Sequence, residues 1–351
     1  MTTMRNPVVE EDLSAILAAP LDWSRLEGAT IVVTGAAGFL PAYMVETVLA
    51  RNERAGGRPS RVVGFVRNLD RARERFRAYA NRDDLCLIKH DVTIAPPDIG
   101  GVDFIVHAAS QASPVYYRTD PIGTILANTL GTEHMLRLAQ KTRATGLLFF
   151  SSGDVYGPLP ARTPTGERDY GPVDCLDVRS CYGESKRLGE NLCIAFHDQH
   201  GVPATIVRPF HTYGPGMRLD DGRVFADFVR DVVHHRPIVL KSDGSATRAF
   251  CYLSDATVGF FTALLEGKPG EAYNIGNDEG ELSMANLAHL LVELFPDRKL
   301  TVVRQQRSSD DPYVPSRLMR SCPNISLARS LGWRPVVNPS TGFFRTVRSF
   351  E

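Results

Sequence analysis

The chain has 351 residues, 43% hydrophobic and 23% charged, with Lys+Arg and Asp+Glu both at 40. That balance fits an ordinary globular protein of two lobes or domains and excludes a strongly basic nucleic-acid face and an acidic tail. Six cysteines, at 86, 175, 181, 193, 251 and 322, form no C-x-x-C pair and no zinc spacing, so free thiols in the cytoplasm and no metal are expected.

Residues 8–26 read as a short amphipathic helix and a linker, with Leu13, Ile16 and Leu17 at helical spacing. This N-terminal extension, residues 1–28, is expected to dock on the body or on a partner subunit. No signal-peptide core and no membrane-length apolar run is visible. From residue 29 strands and helices alternate. Strands are expected at "TIVVTG", 61–66, 85–91, 102–110, 146–152 and 203–210. Helices are expected at 39–53, 69–79, 122–142 and 180–200. Short apolar strands between helices predict an α/β fold, a Rossmann-type doubly wound parallel sheet over 29–210. Beyond 211 the elements shorten and Gly/Pro turns multiply. Residues 211–351 are therefore expected to form mainly a smaller α/β substrate-binding lobe, the chain crossing between lobes more than once.

The stretch "TGAAGFLPAY" follows the first strand and opens the first long helix. Gly35 permits the turn, and Gly38 permits a pyrophosphate to approach the helix N-terminus, where the Phe39 and Leu40 amides are candidate donors. Pro41 stands where a third small residue is usual, but in the first helical turn its missing N–H breaks no bond. After the second strand comes Arg67, where an NAD site usually has an acid. Arg67 would suit the 2′-phosphate of NADP, whereas internal hydride recycling suits a tightly held NAD. NAD is the cofactor expected, with NADP possible because of Arg67. Asp91, after the third strand, is a candidate for the adenine. "HAASQAS", with Ala108 and Ser110, ends the fourth strand, where cofactor and substrate meet.

"SCYGESKRLGE" places Tyr182 and Lys186 one turn apart on one helix face. A lysine ammonium beside a phenol lowers its pKa, so that Tyr182 can take a hydroxyl proton while hydride leaves the same carbon. "FFSSGDVYG" offers Ser152 to polarise the reacting oxygen. His234 and His235, near a helix end, read as dipole partners and not as a metal site. Cys181 reads as packing.

The ordered set TGAAGF, HAAS, SSGDVYG, YGESK, RPFHTYGPG and YNIGN, over about 29–335, resembles the extended short-chain dehydrogenase/reductases that modify nucleotide sugars. The resemblance implies Ser152, Tyr182 and Lys186 in catalysis, Gly35, Gly38 and Asp91 at the cofactor, and Asn128 supporting the site. "RSCYGESKR", "HTYGPGMRLDDGRVFADF" and "ATRAFCYLSDA" look most like the UDP-glucuronate decarboxylases (UDP-xylose synthases). By that likeness Arg223 meets a hexuronate carboxylate and Arg248 the diphosphate, and His211, where Asn is usual, touches substrate.

Two departures stand out. Gly153-Asp154 replaces Ser-Glu, leaving Asp154 as a shorter acid, and Gly216 replaces Arg. The expected activity is a UDP-hexuronic acid decarboxylase acting through a transient 4-keto sugar. Alternatives are a 4-epimerase and a 4,6-dehydratase, the latter disfavoured because Gly153 removes its proton donor. A non-catalytic dinucleotide-binding protein is the reading from another class. Helices like 122–142 and 180–200 commonly build a homodimer in this family. A nucleotide-diphosphosugar is the partner implied.

Overall fold

Each apolar run becomes a strand whose C-terminal end faces the same edge of one sheet. The computed structural model describes residues 5–54, 57–159, 164–305 and 319–351. In chain order the first part runs α1 (Pro7–Leu17), β1 (Thr30–Thr34), α2 (Phe39–Arg54), β2 (Arg61–Val66), α3 (Leu69–Arg75), β3 (Leu85–Lys89) and β4 (Phe104–His107). It continues through α4 (Pro114–Thr119), α5 (Pro121–Thr142), β5 (Gly146–Phe150), α6 (Cys181–His200) and β6 (Ala204–Pro209). The second part holds β7 (Thr212–Tyr213), α7 (Val224–Val233), β8 (Ile238–Leu240), β9 (Thr247–Ala249), β10 (Cys251–Tyr252), α8 (Leu253–Leu265) and β11 (Ala272–Ile275). It ends with β12 (Glu281–Ser283), α9 (Met284–Leu294), β13 (Val302–Arg304), β14 (Arg320–Ser321), α10 (Ser326–Ser330) and α11 (Pro339–Arg348).

The main sheet has seven parallel strands in the order β11-β6-β5-β4-β1-β2-β3. Strand order reverses beside β1, and such a switch point opens a crevice beyond the strand ends. Apolar clusters cover both faces: Val33, Val45 and Phe260 lie in one, and Val32, Leu136 and Phe149 in the other. That two-sided burial explains the unbroken apolar runs. β11 joins the main sheet and α8 packs on β5 and β6, so part of the region beyond 210 belongs physically to the first body. A second cluster around Phe225, Phe228, Leu287 and Phe343 builds the smaller lobe.

Three elements differ from the expected ones. α3 stops at Arg75 because Phe76, 1% exposed, turns into the core and a 3-10 turn follows at Arg77–Tyr79. β4 ends at His107 because the next two amides, of Ala108 and Ala109, donate to the Thr34 hydroxyl at 3.1 and 3.0 Å and leave the ladder. α4 was not expected at all; Ser113 and Pro114 start it.

The N-terminal helix docks on the body, against α2 and α8. Asp12, 2% exposed, accepts from Tyr43 Oη at 3.1 Å, Tyr252 Oη at 2.9 Å and Arg345 Nη2 at 2.8 Å. One buried carboxylate thus ties α1 to elements of both parts of the chain.

Candidate active site

The crevice beyond β1, β4, β5 and β6 is a cavity of about 840 Å³. Its floor is set by a hydrogen-bond chain. The Thr34 hydroxyl accepts from the Ala108 and Ala109 amides, so its proton goes to His107 Nδ1 at 2.8 Å. His107 then donates from Nε2 to Thr132 Oγ1 at 3.2 Å, and Thr132 donates to the Asn128 carbonyl at 2.6 Å. Burial keeps this imidazole neutral, its pKa lowered to about 3. The chain fixes the end of β4 against the glycine turn.

Gly35 has φ +64°, and a Cβ there would lie 3.0 Å from Ala109 Cα. A Cβ on Gly38 would lie 3.3 Å from the Pro41 ring, which fills the space a side chain would take. The unusual proline therefore packs against the turn it follows. Phe39 and Leu40 open α2 toward the cavity, and the amides of a first helical turn have no intrahelical acceptor.

Gly35, Gly38, Phe39, Leu40, Arg67, Asp91, Ala108 and Ser110 all border this cavity. Three of its lining side chains carry buried polar atoms with no partner among the described residues, His90 Nε2, Ser110 Oγ and Gln111 Oε1. Gln111 Nε2 donates to Asp120 Oδ2 at 2.7 Å, which commits Oε1 as an acceptor. A tight glycine cradle beside orphaned polar groups fits a dinucleotide. The Thr93 amide holds the Asp91 carboxyl down, and Gln111 and the Gly123 amide that of Asp120, with the charge of Arg67 a lesser influence on both.

Ser152, Asp154, Tyr182 and Lys186 border the same cavity. β5 delivers Ser152, whose Oγ accepts from the Asp154 amide at 3.1 Å and caps the turn Gly153–Tyr156. Tyr182 is 6% exposed and stacks on Tyr117, ring centroids 4.9 Å apart and 17° between planes. Burial first, then the charge of Asp154, pushes its phenol up; a hydrogen bond with Ser152 and the charge of Arg223 oppose that shift. The spacing predicted a phenol lowered by Lys186; here it is held above its ordinary value, because burial and Asp154 outweigh the opposing groups. Lys186, 2% exposed, donates to the Phe150 carbonyl at 2.6 Å and stands 5.8 Å from the Tyr182 ring centre. Burial lowers its pKa to about 7, against the charges of Glu190 and Cys193.

Asp154 is exposed and borders the cavity. Desolvation raises its carboxyl despite the guanidiniums of Arg179, Arg223 and Arg248. Arg223 donates to Asp221 Oδ2 from Nε at 2.7 Å and also from Nη2. Arg248 donates to the Thr247 carbonyl at 2.7 Å. His211 holds φ +24°, and burial, followed by Arg248 and Arg223, keeps its ring neutral. All three border the cavity. Asn128, expected to support the site, does not border the cavity. It is fully buried between α5 and α6 and donates to Ser185 Oγ at 2.9 Å, so it braces the Tyr182 helix.

Sequence reasoning missed Tyr117, Arg179, Gln111 and Arg75. Arg179 lies three residues before Tyr182, a placement that could have drawn notice. Nothing in the sequence marks Arg75, whose guanidinium comes within 3.3 Å of where a Gly216 Cβ would stand. It occupies space that an arginine at 216 would need. Cys181 packs with Tyr117 and Tyr182.

Comparisons with known proteins agree with this geometry. The model of the NAD dependent epimerase/dehydratase family matches residues 31–276. A UDP-glucuronic acid decarboxylase of Arabidopsis thaliana is 37% identical over 314 residues, covering 89% of this chain and 86% of that protein. One from Xenopus tropicalis is 33% identical over 322 residues, covering 92% and 72%. Among solved structures, a UDP-glucuronic acid 4-epimerase variant from Bacillus cereus, in complex with UDP-4-deoxy-4-fluoro-glucuronic acid and NAD, superposes with TM-score 0.77 at 23% identity, covering 92% and 98%. With its parallel sheet, its glycine cradle and its Tyr182–Lys186 pair in one crevice, the chain belongs to the NAD dependent epimerase/dehydratase family.

Proposed function

We propose that this enzyme is a UDP-hexuronic acid decarboxylase that works through a transient 4-keto sugar. The observation that carries the reading is the meeting in one cavity of Ser152, Tyr182 and Lys186 with an acid, Asp154, under the influence of three guanidiniums. Sequence similarity to UDP-glucuronic acid decarboxylases supports the substrate class.

NAD, when bound, supplies the hydride acceptor for C4 of the sugar and a ring charge that favours the phenolate of Tyr182. Tyr182 takes the O4 proton, and Ser152, hydrogen-bonded to it, steadies the same oxygen. Lys186, held by the Phe150 carbonyl and 5.8 Å from the Tyr182 ring centre, adds positive charge to the site when protonated. The ketone at C4 makes the C6 carboxylate that of a β-keto acid, which loses carbon dioxide. Asp154, with its raised pKa, gives a proton to C5, and Tyr182 would then return its proton to O4 as the hydride taken in the first step comes back to C4, restoring the hydroxyl. Arg223 and Arg248 neutralise the carboxylate and the diphosphate.

NAD is preferred to NADP because Asp91 and Asp120 border the cavity along with Arg67, and carboxylates there repel a 2′-phosphate. Mass analysis of cofactor released by denaturation checks this. The Ile122, Ile125, Leu126 and Leu130 side chains lie exposed along α5, which supports a homodimer through α5 and α6, testable by light scattering. Six free thiols support a cytoplasmic setting, and among the described residues no helix is long and apolar enough to cross a membrane.

The test is incubation with UDP-glucuronic acid, followed by NMR and carbon dioxide capture. Release of carbon dioxide with UDP-xylose is expected. A 4-epimer or a lasting 4-ketone overturns the reading in favour of an epimerase or a dehydratase.

A further inference from the structure

We propose that Tyr117 is a positioning residue for the catalytic base: its ring, stacked on that of Tyr182, fixes how the phenol oxygen meets the sugar. The inference rests on the reading of Tyr182 as the base.

Tyr182 is the second residue of α6, and Ser152 hydrogen-bonds its hydroxyl. The χ2 torsion of a tyrosine is broad, so one bond at the tip does not fix the ring plane. That plane sets the direction in which the lone pairs of the oxygen point. A misplacement of about 1 Å near the reacting atoms costs about 10²-fold in rate, so the ring needs support as well as the oxygen. Tyr117 on α4 supplies it. Its side chain is 6% exposed and lies nearly parallel to Tyr182, ring centroids 4.9 Å apart and 17° between planes. Rings at this spacing attract beyond the area they bury.

Tyr117 is itself held in place. Its hydroxyl donates to the Ala112 carbonyl at 3.0 Å, on the segment that follows β4 into the cleft. Ser113, at the start of α4, donates to the Asp221 carbonyl at 2.8 Å, and the Asp221 carboxylate accepts from Arg223 Nε at 2.7 Å. α4 also packs on the 3-10 turn Val178–Ser180, which leads into α6. One short helix thus joins the end of β4, the segment bearing Arg223, and the base. Tyr117 also borders the cavity, which makes a substrate wall the competing role. With one face on Tyr182 and its hydroxyl proton engaged by Ala112, it has no donor left for a sugar.

The experiment measures kinetics with UDP-glucuronate, and UDP binding by calorimetry, for Tyr117→Leu and Tyr117→Phe. It repeats Tyr117→Leu in a Tyr182→Phe background. The leucine variant removes the stack and should lower kcat about 10- to 100-fold, with KM and UDP affinity within about 2-fold of the parent. The phenylalanine variant keeps the stack and should recover kcat to within about 5-fold of the parent. Beside Tyr182→Phe, the leucine should change the residual kcat less than about 2-fold, because the group it positions is gone. A raised KM at unchanged kcat makes Tyr117 a substrate wall and overturns the proposal. So do equal losses for leucine and phenylalanine, a full loss in the Tyr182→Phe background, or loss of UDP binding together with the rate. If Tyr182→Phe alone leaves kcat unchanged, the reading of Tyr182 as the base fails and takes this inference with it.

Discussion

Lys186 and Arg208 are both buried cations behind the same crevice, and they are treated in opposite ways. All five guanidinium N–H groups of Arg208 are used: on Glu190 Oε1 and Oε2 at 2.8 and 2.6 Å, the Tyr156 hydroxyl at 2.9 Å, the Glu167 carbonyl at 2.8 Å and the Tyr170 hydroxyl at 3.0 Å. Burial opposes its charge, but Glu190 outweighs burial and keeps it ionised. Lys186 has three donors and, among the described residues, one hydrogen bond, to the Phe150 carbonyl. Glu190 lies one turn away on the same helix, yet burial still lowers the lysine to about 7. A fully partnered buried charge specifies structure; one left under-partnered beside a cavity is available to a ligand.

The sharpest test of that contrast is Tyr182→Phe. Removing the proposed base should lower kcat about 10²- to 10⁴-fold while the thermal midpoint holds steady, measured by coupled NMR and calorimetry. A fall in stability matching the fall in rate would move Tyr182 to the structural side.

Glu190→Ala attacks the other side. It strands Arg208 without its carboxylate, and Ser151, which donates to Glu190, without an acceptor. Breaking a buried pair in this way should cost about 3–5 kcal/mol in urea unfolding. A cost below about 1 kcal/mol would show that the network is not what holds β6 to α6.

Asp154→Asn should slow carbon dioxide release by about 10²-fold with UDP-glucuronate affinity retained. An unchanged rate assigns the C5 proton elsewhere.

Lys186→Met gives the smallest effect and the most particular one. Because the folded pKa of Lys186, about 7, lies below its ordinary 10.5, the unfolded chain binds the extra proton between those values and stability rises with pH across that window. The variant, free of the buried charge, should be more stable than the parent by about 1–2 kcal/mol at pH 6. The gap should close toward pH 10.5, the ordinary lysine value. A gap independent of pH would mean the ammonium is solvated.

Much of this was written in local order. An apolar run, a glycine turn and a helix start define a cradle within ten residues, and the i, i+4 spacing puts Tyr182 and Lys186 on one face whatever the rest of the chain does. Ser152 and Asp154 were legible for the same reason, as residues just past a strand end. Asn128 was expected to support the site, but only the packing of α5 on α6 shows how, through its amide on Ser185. Arg179 was missed because its proximity to Asp154 joins two segments separated by a loop.

What the sequence determined by itself, then, is what local pattern carries: the strand–helix alternation from which the parallel fold was read, the glycine turn and the Tyr–Lys pair. The tertiary structure alone decided the charge state of those groups, the placing of Arg75 against Gly216, and the gathering of three arginines around one acid. Helical and strand geometry is periodic and carried by neighbours, whereas desolvation and Coulomb interactions depend on distances that exist only once remote segments have packed together.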